Sequence, residues 1–354
     1  MPAAFPYNQG MAEKSLVGGD DGGPALTGGN ILVTGAAGFI GSHLVRELRR
    51  RCERVVCLVR PGENISRIAD LGCRIHTGDL LEKSTLAGAV AGADYIFHLA
   101  AVMGGVAPET LFRVNHQGTK NLVEACREQG VVPERFLFAS SVTVMGPSGK
   151  NQLLNEDAPC RPLSVYGKSK LAAEEYLASA ENTLPYTIIR LPVVYGPGSD
   201  GGMYIFFKLM SKGLQVNVGT LEATVCFVWD VVHGMIAAAG NPRTRGETYI
   251  LGEEKTYQLR QIYQVIAAIL GKRTITLPLP YFVLHVLSFF MEIHSKLTKS
   301  VPIMTREELT MYLKNHYWRY DTRKASRDFG FQSRYPFAEG AGITIDWYRR
   351  NGYM

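Results

Sequence analysis

Tyr166 and Lys170 are the side chains of this 354-residue sequence with the chemistry and spacing to move a proton. They lie four residues apart in Tyr166-Gly-Lys-Ser-Lys170, so a helix puts them on one face. A phenol alone titrates near about pH 10. A neighbouring ammonium favours the phenolate and brings the phenol into use as an acid or base near neutral pH. The plain alternative is a surface Tyr/Lys pair, which is common. Ser140 and Ser141 end the apolar run Arg135–Ser141, which has the pattern of a buried strand. Ser141 can donate a hydrogen bond to a substrate carbonyl while Tyr166 transfers the proton.

A second group of residues could hold an anion. Ile31 to Val33 form a short apolar run, followed by Thr34 and by Gly35, Gly38 and Gly41 at three-residue spacing. Ile40, Leu44, Val45 and Leu48 then recur at helical spacing. The pattern is strand, tight glycine turn, helix. Gly35 lets the chain leave the strand sharply, Gly38 leaves room for a pyrophosphate, and Gly41 lets the helix pack close to the sheet. The diphosphate would sit on free N–H groups at the positive end of the helix.

The elements that must position these groups alternate. Further strands are expected at Arg54–Arg60, Cys73–Thr77, Asp94–Ala101, Arg135–Ser141 and Tyr186–Leu191. Helices are expected at Leu86–Val90, Val114–Glu128 and Tyr166–Leu177. Alternation of this kind implies an α/β fold with a Rossmann-type, doubly wound parallel sheet, covered by helices on both faces. The nucleotide-binding domain is expected at 30–195, with 224–240 returning to it. Residues 196–354 would mostly form a smaller C-terminal α/β substrate domain over the carboxyl ends of the strands. Residues 1–29 are glycine-rich and lack a basic start and an apolar core, so they are expected to be a mobile leader and not a signal peptide.

Composition excludes several classes. The apolar fraction is 46%, the charged fraction 20% and the net charge +6, with no basic block suited to nucleic acid. The six cysteines form no C-x-x-C and are expected to be reduced thiols in a cytoplasmic protein. No His/Cys/Asp cluster has metal-ligand spacing, so no metal is expected.

The whole pattern resembles the extended short-chain dehydrogenases/reductases, which include the NAD-dependent epimerase/dehydratase family and a branch of dihydroflavonol-reductase-like and 3β-hydroxysteroid-dehydrogenase-like enzymes. Thr34-Gly35-Ala-Ala-Gly38-Phe-Ile-Gly41 is similar to that family's cofactor loop. Gly78-Asp79-Leu80, His98-Leu-Ala-Ala101, Asn115 with Gly118-Thr119, and Ser140-Ser-Val-Thr-Val-Met-Gly146 match in order and spacing, as does Arg190-Leu-Pro-Val-Val-Tyr-Gly-Pro-Gly198. The resemblance covers residues 30 to 350. It implies a catalytic triad of Ser141, Tyr166 and Lys170. It places Gly35, Gly38, Phe39, Ile40, Gly41 and Asn115 on the cofactor, Asp79 and Leu80 about the adenine, and Leu99, Ala100, Ala101 and Pro192 beside the nicotinamide. Lys170 is also expected to reach the nicotinamide ribose. A homodimer through Val114–Glu128 and Tyr166–Leu177 is a family-level expectation. Met145 departs from the pattern, because sugar epimerases of the family usually carry Tyr there.

Cofactor choice turns on Arg60. The second strand ends in Val59-Arg60-Pro61, with no acid before Glu63. An acid there binds the ribose of NAD, whereas an Arg fork suits the 2′-phosphate of NADP. The expectation is NADP(H), with NAD(H) as the alternative and a solvated Arg60 as the plain one. The leading function is then an NADP(H)-dependent oxidoreductase that interconverts a carbonyl and an alcohol on a small, largely apolar substrate. A nucleotide-sugar epimerase or dehydratase with tightly bound NAD is the second reading, and a non-catalytic dinucleotide-binding subunit the third. Against the second stands the segment Glu222–Val231, where the family's diphosphate-binding Arg falls near Ala223, and no Arg lies between Arg190 and Arg243. Only Lys208 and Lys212 lie in between. The apolar segment Tyr281–Ile293 is too short to span a bilayer. It could be core, line an apolar pocket, or, with Lys296 and Lys299, make a peripheral membrane contact over 281–299.

Overall fold

The structure is a computed structural model that describes residues 26, 29–51, 54–180, 183–216, 221–277, 281–298, 306, 309–311 and 317–354. The expected leader, apart from Leu26 and Gly29, lies outside the described residues, as do Cys52 and Lys299. Six strands are built from short, β-branched or aromatic runs: β1 (Ile31–Thr34), β2 (Val55–Val59), β3 (Arg74–Thr77), β4 (Tyr95–His98), β5 (Arg135–Ser141) and β6 (Tyr186–Leu191). Their order is β6-β5-β4-β1-β2-β3 and every pairing is parallel. This is the doubly wound arrangement, whose crevice opens beyond the carboxyl ends of β1 and β4. A seventh strand, β10 (Glu247–Ile250), adds in parallel beside β6.

Alternation along the strands separates two cores. Ile31 and Val33 of β1 face one side with Leu44, Val45 and Leu48 of helix α1 (Phe39–Arg51). Leu32 faces the other side with Leu122, Val123 and Cys126 of α2 (Gly118–Glu128) and with Ala173 and Leu177 of α3 (Val165–Ser179). The stretch 224–240 divides. Helix α4 (Val228–Gly240) returns to the main sheet and packs Val231, Val232 and Met235 beside α1. The strand before it, β9 (Glu222–Phe227), does not. It pairs instead with β7 (Val193–Tyr195), β11 (Thr256–Gln258) and β13 (Tyr317–Trp318) in a second, small sheet, while β8 (Leu214–Val216) and β12 (Ile275–Leu277) form a separate parallel pair.

The second sheet carries its own core. Phe227, Tyr195 and Tyr257 pack against helix α5 (Leu259–Leu270) and the last helix, α6 (Phe337–Arg350). Helix α5 is amphipathic, with Leu259, Ile262, Tyr263 and Ile266 buried at helical spacing. It starts with a capping box of Gln258 and Gln261 and stops at Gly271 in the left-handed conformation. Because β7 follows β6 after a single residue, Pro192, the two sheets meet at the carboxyl end of the main one.

Candidate active site

The glycine turn has no room for side chains. A Cβ on Gly35 would stand 2.7 Å from the Ala100 nitrogen, and its φ of +67° also disfavours other residues. A Cβ on Gly41 would stand 2.1 Å from the Gly35 carbonyl oxygen. Gly38 is exposed, and its N–H donates to Gly35 O at 3.1 Å. Phe39 and Ile40, half-buried, begin α1. The result is a shallow cradle at a helix N-terminus, the shape a dinucleotide pyrophosphate needs. Since Gly35 O and the Gly41 position are both backbone, Gly41→Ala cannot be relieved by a rotamer change. We expect it to abolish dinucleotide binding in titration calorimetry and to cost about 2–3 kcal/mol in urea unfolding.

Beside the cradle, a buried chain of hydrogen bonds fixes the floor of the crevice. Thr34 Oγ1 accepts from the Ala100 N–H at 3.2 Å and donates to His98 Nδ1 at 2.6 Å. Thr119 Oγ1 donates to Asn115 O at 2.6 Å, so it accepts from His98 Nε2 at 2.9 Å. The chain therefore holds one tautomer, protonated at Nε2. Burial, with Lys170 nearby, pushes the His98 imidazole down to about pKa 3, so it stays neutral.

The three expected catalytic residues come from two elements that the main sheet brings together. Ser141 is the last residue of β5 and pairs with Leu191. Its Oγ accepts from Thr143 N at 3.2 Å and from Thr143 Oγ1 at 2.9 Å, so its own proton is available to a substrate oxygen. Tyr166, half-buried, and Lys170 lie one turn apart in α3, which starts at the Ser164 cap. Lys170 is 1% exposed, and its Nζ makes no hydrogen bond. It lies 3.9 Å from the centroid of the Phe138 ring. Burial pushes its pKa down to about 7, against the opposing pull of Glu174.

The other expected positions divide by accessibility. Leu99 and Ala100 are half-buried and Ala101 exposed along the loop after β4. Asp79 is half-buried; its Oδ1 accepts from Leu81 N at 2.8 Å. Leu80 is buried, its carbonyl accepting from Asn121 at 2.7 Å. Pro192 is buried at the junction of the sheets, with Gly252 against it. Asn115, read as a cofactor contact, is buried at 1% exposure and spends both amide hydrogens within the protein, on Val102 O at 2.8 Å and Ser169 Oγ at 2.9 Å. It braces the loop after β4 against α3. Arg60 is open to solvent, its side chain 66% exposed. The Glu63 carboxylate turns back on it, accepting from the Arg60 N–H at 2.9 Å and standing 3.9 Å from its Nε.

One group escaped sequence reasoning. Glu174 lies one turn beyond Lys170 on the same helix and is buried. It accepts from Arg190 Nε at 3.2 Å and Nη2 at 2.8 Å, and from Ser140 Oγ. The signal was present: Tyr166, Lys170 and Glu174 repeat every four residues. Among the described residues no group of three His, Cys, Asp or Glu side chains is gathered as a metal site.

The model of the NAD dependent epimerase/dehydratase family matches residues 31–252. An N-acetyl-alpha-D-glucosaminyl-diphospho-ditrans,octacis-undecaprenol 4-epimerase of Escherichia coli O157:H7 is 27% identical over 331 residues, covering 90% of this chain and 95% of the relative. A 3-beta-hydroxysteroid dehydrogenase of Mycolicibacterium neoaurum is 25% identical over 343 residues, covering 90% and 91%. Among solved structures, MoeE5 in complex with UDP-glucuronic acid and NAD is similar with a TM-score of 0.70 and 29% identity, covering 91% of this chain and 99% of that one.

Proposed function

Because the chain belongs to the NAD-dependent epimerase/dehydratase family, we propose that it oxidises a secondary hydroxyl of a diphosphate-linked sugar and returns the hydride to the same molecule. The observation that carries the hydride chemistry is Lys170. A buried Nζ with no hydrogen-bond partner is costly, and a ribose hydroxyl delivered beside the glycine cradle would satisfy it. NAD, when bound, supplies the hydride acceptor. The protein orients and handles the proton: Tyr166 takes it from the substrate hydroxyl, Ser141 donates a hydrogen bond to the same oxygen, and the Lys170 ammonium favours the phenolate. Tyr166→Phe should lower turnover by about 10²–10⁴-fold while leaving NAD affinity nearly unchanged. Loss of NAD binding in that variant would mean that Tyr166 is a cofactor anchor instead.

The reading of NAD over NADP follows from Glu63. A 2′-phosphate approaching Arg60 would meet the Glu63 carboxylate that already caps this strand end, whereas ribose hydroxyls can donate to it. This displaces the NADP(H) preference expected from Arg60 alone. Tighter binding of NADPH than NADH in calorimetry would restore it.

The epimerase-type reading rests on the relatives' printed activities and takes precedence over the NADP(H)-dependent carbonyl/alcohol oxidoreductase expected from the sequence. The oxidoreductase that interconverts an apolar alcohol and its ketone stays as a second reading because of one observation. The two departures from the epimerase pattern, Met145 and Ala223, are buried in a single apolar cluster with Leu154, Met311 and Trp318. A cation does reach this sheet from outside the segment between Arg190 and Arg243: Arg319 follows Trp318, whose backbone pairs with Ala223, but Glu222 holds it at 3.2 Å. Calorimetry with UDP and dTDP on the NAD-loaded protein separates the readings. Micromolar binding supports the diphosphate-sugar substrate, and no binding supports the apolar one.

A further inference from the structure

Cys57 and Cys73 meet at the edge of the main sheet. Cys57 lies in β2, in the core beneath α1, and Cys73 packs against the same cluster. Parallel pairing sets Cys57 beside Ile75, and Cys73 stands two residues before Ile75, so alternation turns both thiols to one face. There the Cys57 S–H donates a hydrogen bond to the Cys73 sulfur. Both are free thiols. Cys57 is fully buried, whereas Cys73 is half-buried and reaches solvent. Strand β3, which follows Cys73, is the last strand of the sheet and is mostly exposed. A covalent bond needs the two sulfurs closer than a hydrogen bond does, and a strand end at the sheet edge can shift without disturbing β1, β4 and β5.

The two thiols are unequal. The hydrogen bond from Cys57 favours a Cys73 thiolate and pulls the Cys73 pKa down against the opposing effect of burial, with the Arg49 guanidinium adding to the pull. Arg49 is held over this turn by its Nε, which donates to Leu71 O at 3.0 Å. The same hydrogen bond, together with burial, pushes the Cys57 thiol up. Burial likewise pushes up Cys126, Cys160 and Cys226. Among the described cysteines Cys73 is therefore the nucleophile, and the thiol in contact with it is Cys57. A fully buried thiol is sheltered from a dissolved oxidant, but Cys57 needs to reach only Cys73.

We propose that Cys73 and Cys57 are a peroxide-responsive pair, in which Cys73 attacks the oxidant and Cys57 resolves the product to a disulfide. The Cys73 thiolate attacks one oxygen of hydrogen peroxide. The O–O bond breaks, Cys73 becomes a sulfenic acid, and the other oxygen leaves as hydroxide. The Cys57 sulfur then attacks the Cys73 sulfur, and its proton departs with the sulfenic hydroxyl as water while the S–S bond forms. Two electrons thus pass from two thiols to one peroxide, and an external dithiol returns them. Without Cys57, further peroxide carries Cys73 to the sulfinic acid, which thiols do not reduce. The bond closes the segment 57–73, which carries Arg60 and Glu63 and packs Ile65, Ile68 and Leu71 into the core. The chemistry does not depend on which substrate or cofactor the active site takes.

The test is mass spectrometry of the full-length protein after treatment with hydrogen peroxide, with the remaining thiols alkylated in denaturant before peptide mapping. The protein should lose two hydrogens, its six thiols should fall to four, and the map should join Cys57 to Cys73. Dithiothreitol should restore all six. The oxidised protein should unfold at a higher urea concentration than the reduced one, because the 57–73 loop is closed in the unfolded chain as well. Cys73→Ser should keep its other five thiols under the same treatment. Cys57→Ala should hold Cys73 as the sulfenic acid, labelled by dimedone at least about tenfold more than in the unaltered protein. Because Cys57 is buried, a thermal melt checks that this variant is folded, and the map of the unaltered protein does not depend on it. Retention of all six thiols, or a map joining Cys73 to any cysteine other than Cys57, would overturn the proposal. So would equal dimedone labelling of Cys73 with and without Cys57.

Discussion

Lys170→Met should make the NAD-free protein more stable at about pH 6 while lowering its turnover by at least about 10³-fold. The two effects share one cause. Lys170 is buried, its Nζ has no hydrogen-bond partner, and burial lowers its pKa from 10.5 to about 7. Its folded pKa lies below its unfolded value, so between about pH 7 and pH 10.5 the unfolded chain binds more protons. Wild-type stability therefore rises with pH through that window, and the penalty for the buried ammonium is fully present below it. Met fills similar space without a charge and should remove about 2–4 kcal/mol of that penalty, part of it offset by the lost contact with Phe138. The gain should roughly halve by about pH 9. Urea unfolding of both proteins at the two pH values checks this. Equal stability at about pH 6 would mean that the ammonium already has a partner in the free protein. Added NAD should narrow the difference, because it stabilises the wild type and not the variant.

That strain sits in a part of the molecule the sequence described well. The expected strands Arg135–Ser141 and Tyr186–Leu191 coincide with β5 and β6, because both are long apolar runs buried on two faces. The expected helix Tyr166–Leu177 lies within α3, and the glycine turn is where the spacing put it. What escaped was tertiary. Strand β10 is only Glu-Thr-Tyr-Ile, and its place depends on pairing with β6 rather than on its own pattern. Strand β13 has two residues and exists through β9. Arg60 stood at the end of β2 as expected, but the return of Glu63 onto its N–H is a turn geometry that composition does not encode. In the apolar segment beyond residue 280, both sides of the helix are apolar, so periodicity could not say which one is covered.

Glu174→Leu should destabilise the protein by about 3–5 kcal/mol, because it leaves a buried guanidinium without its carboxylate. The Arg190 and Glu174 side chains are 8% and 5% exposed, and the carboxylate ties α3 to β6 through Arg190 and to β5 through Ser140. Arg190 would keep only Glu156 O at 3.2 Å and Cys160 Sγ at 3.3 Å. Adding Arg190→Met should recover most of the loss, since replacing both members of a buried pair with apolar side chains is far less costly than orphaning one. A double variant no more stable than Glu174→Leu would place the effect in packing. Glu174→Gln separates positioning from structure. It keeps an oxygen for Arg190 and Ser140 but removes the charge that supports the Lys170 ammonium one turn away. The Lys170 pKa should then fall further, and the alkaline limb of the turnover profile should move to lower pH. A purely structural Glu174 would lower the melting temperature and leave that limb in place.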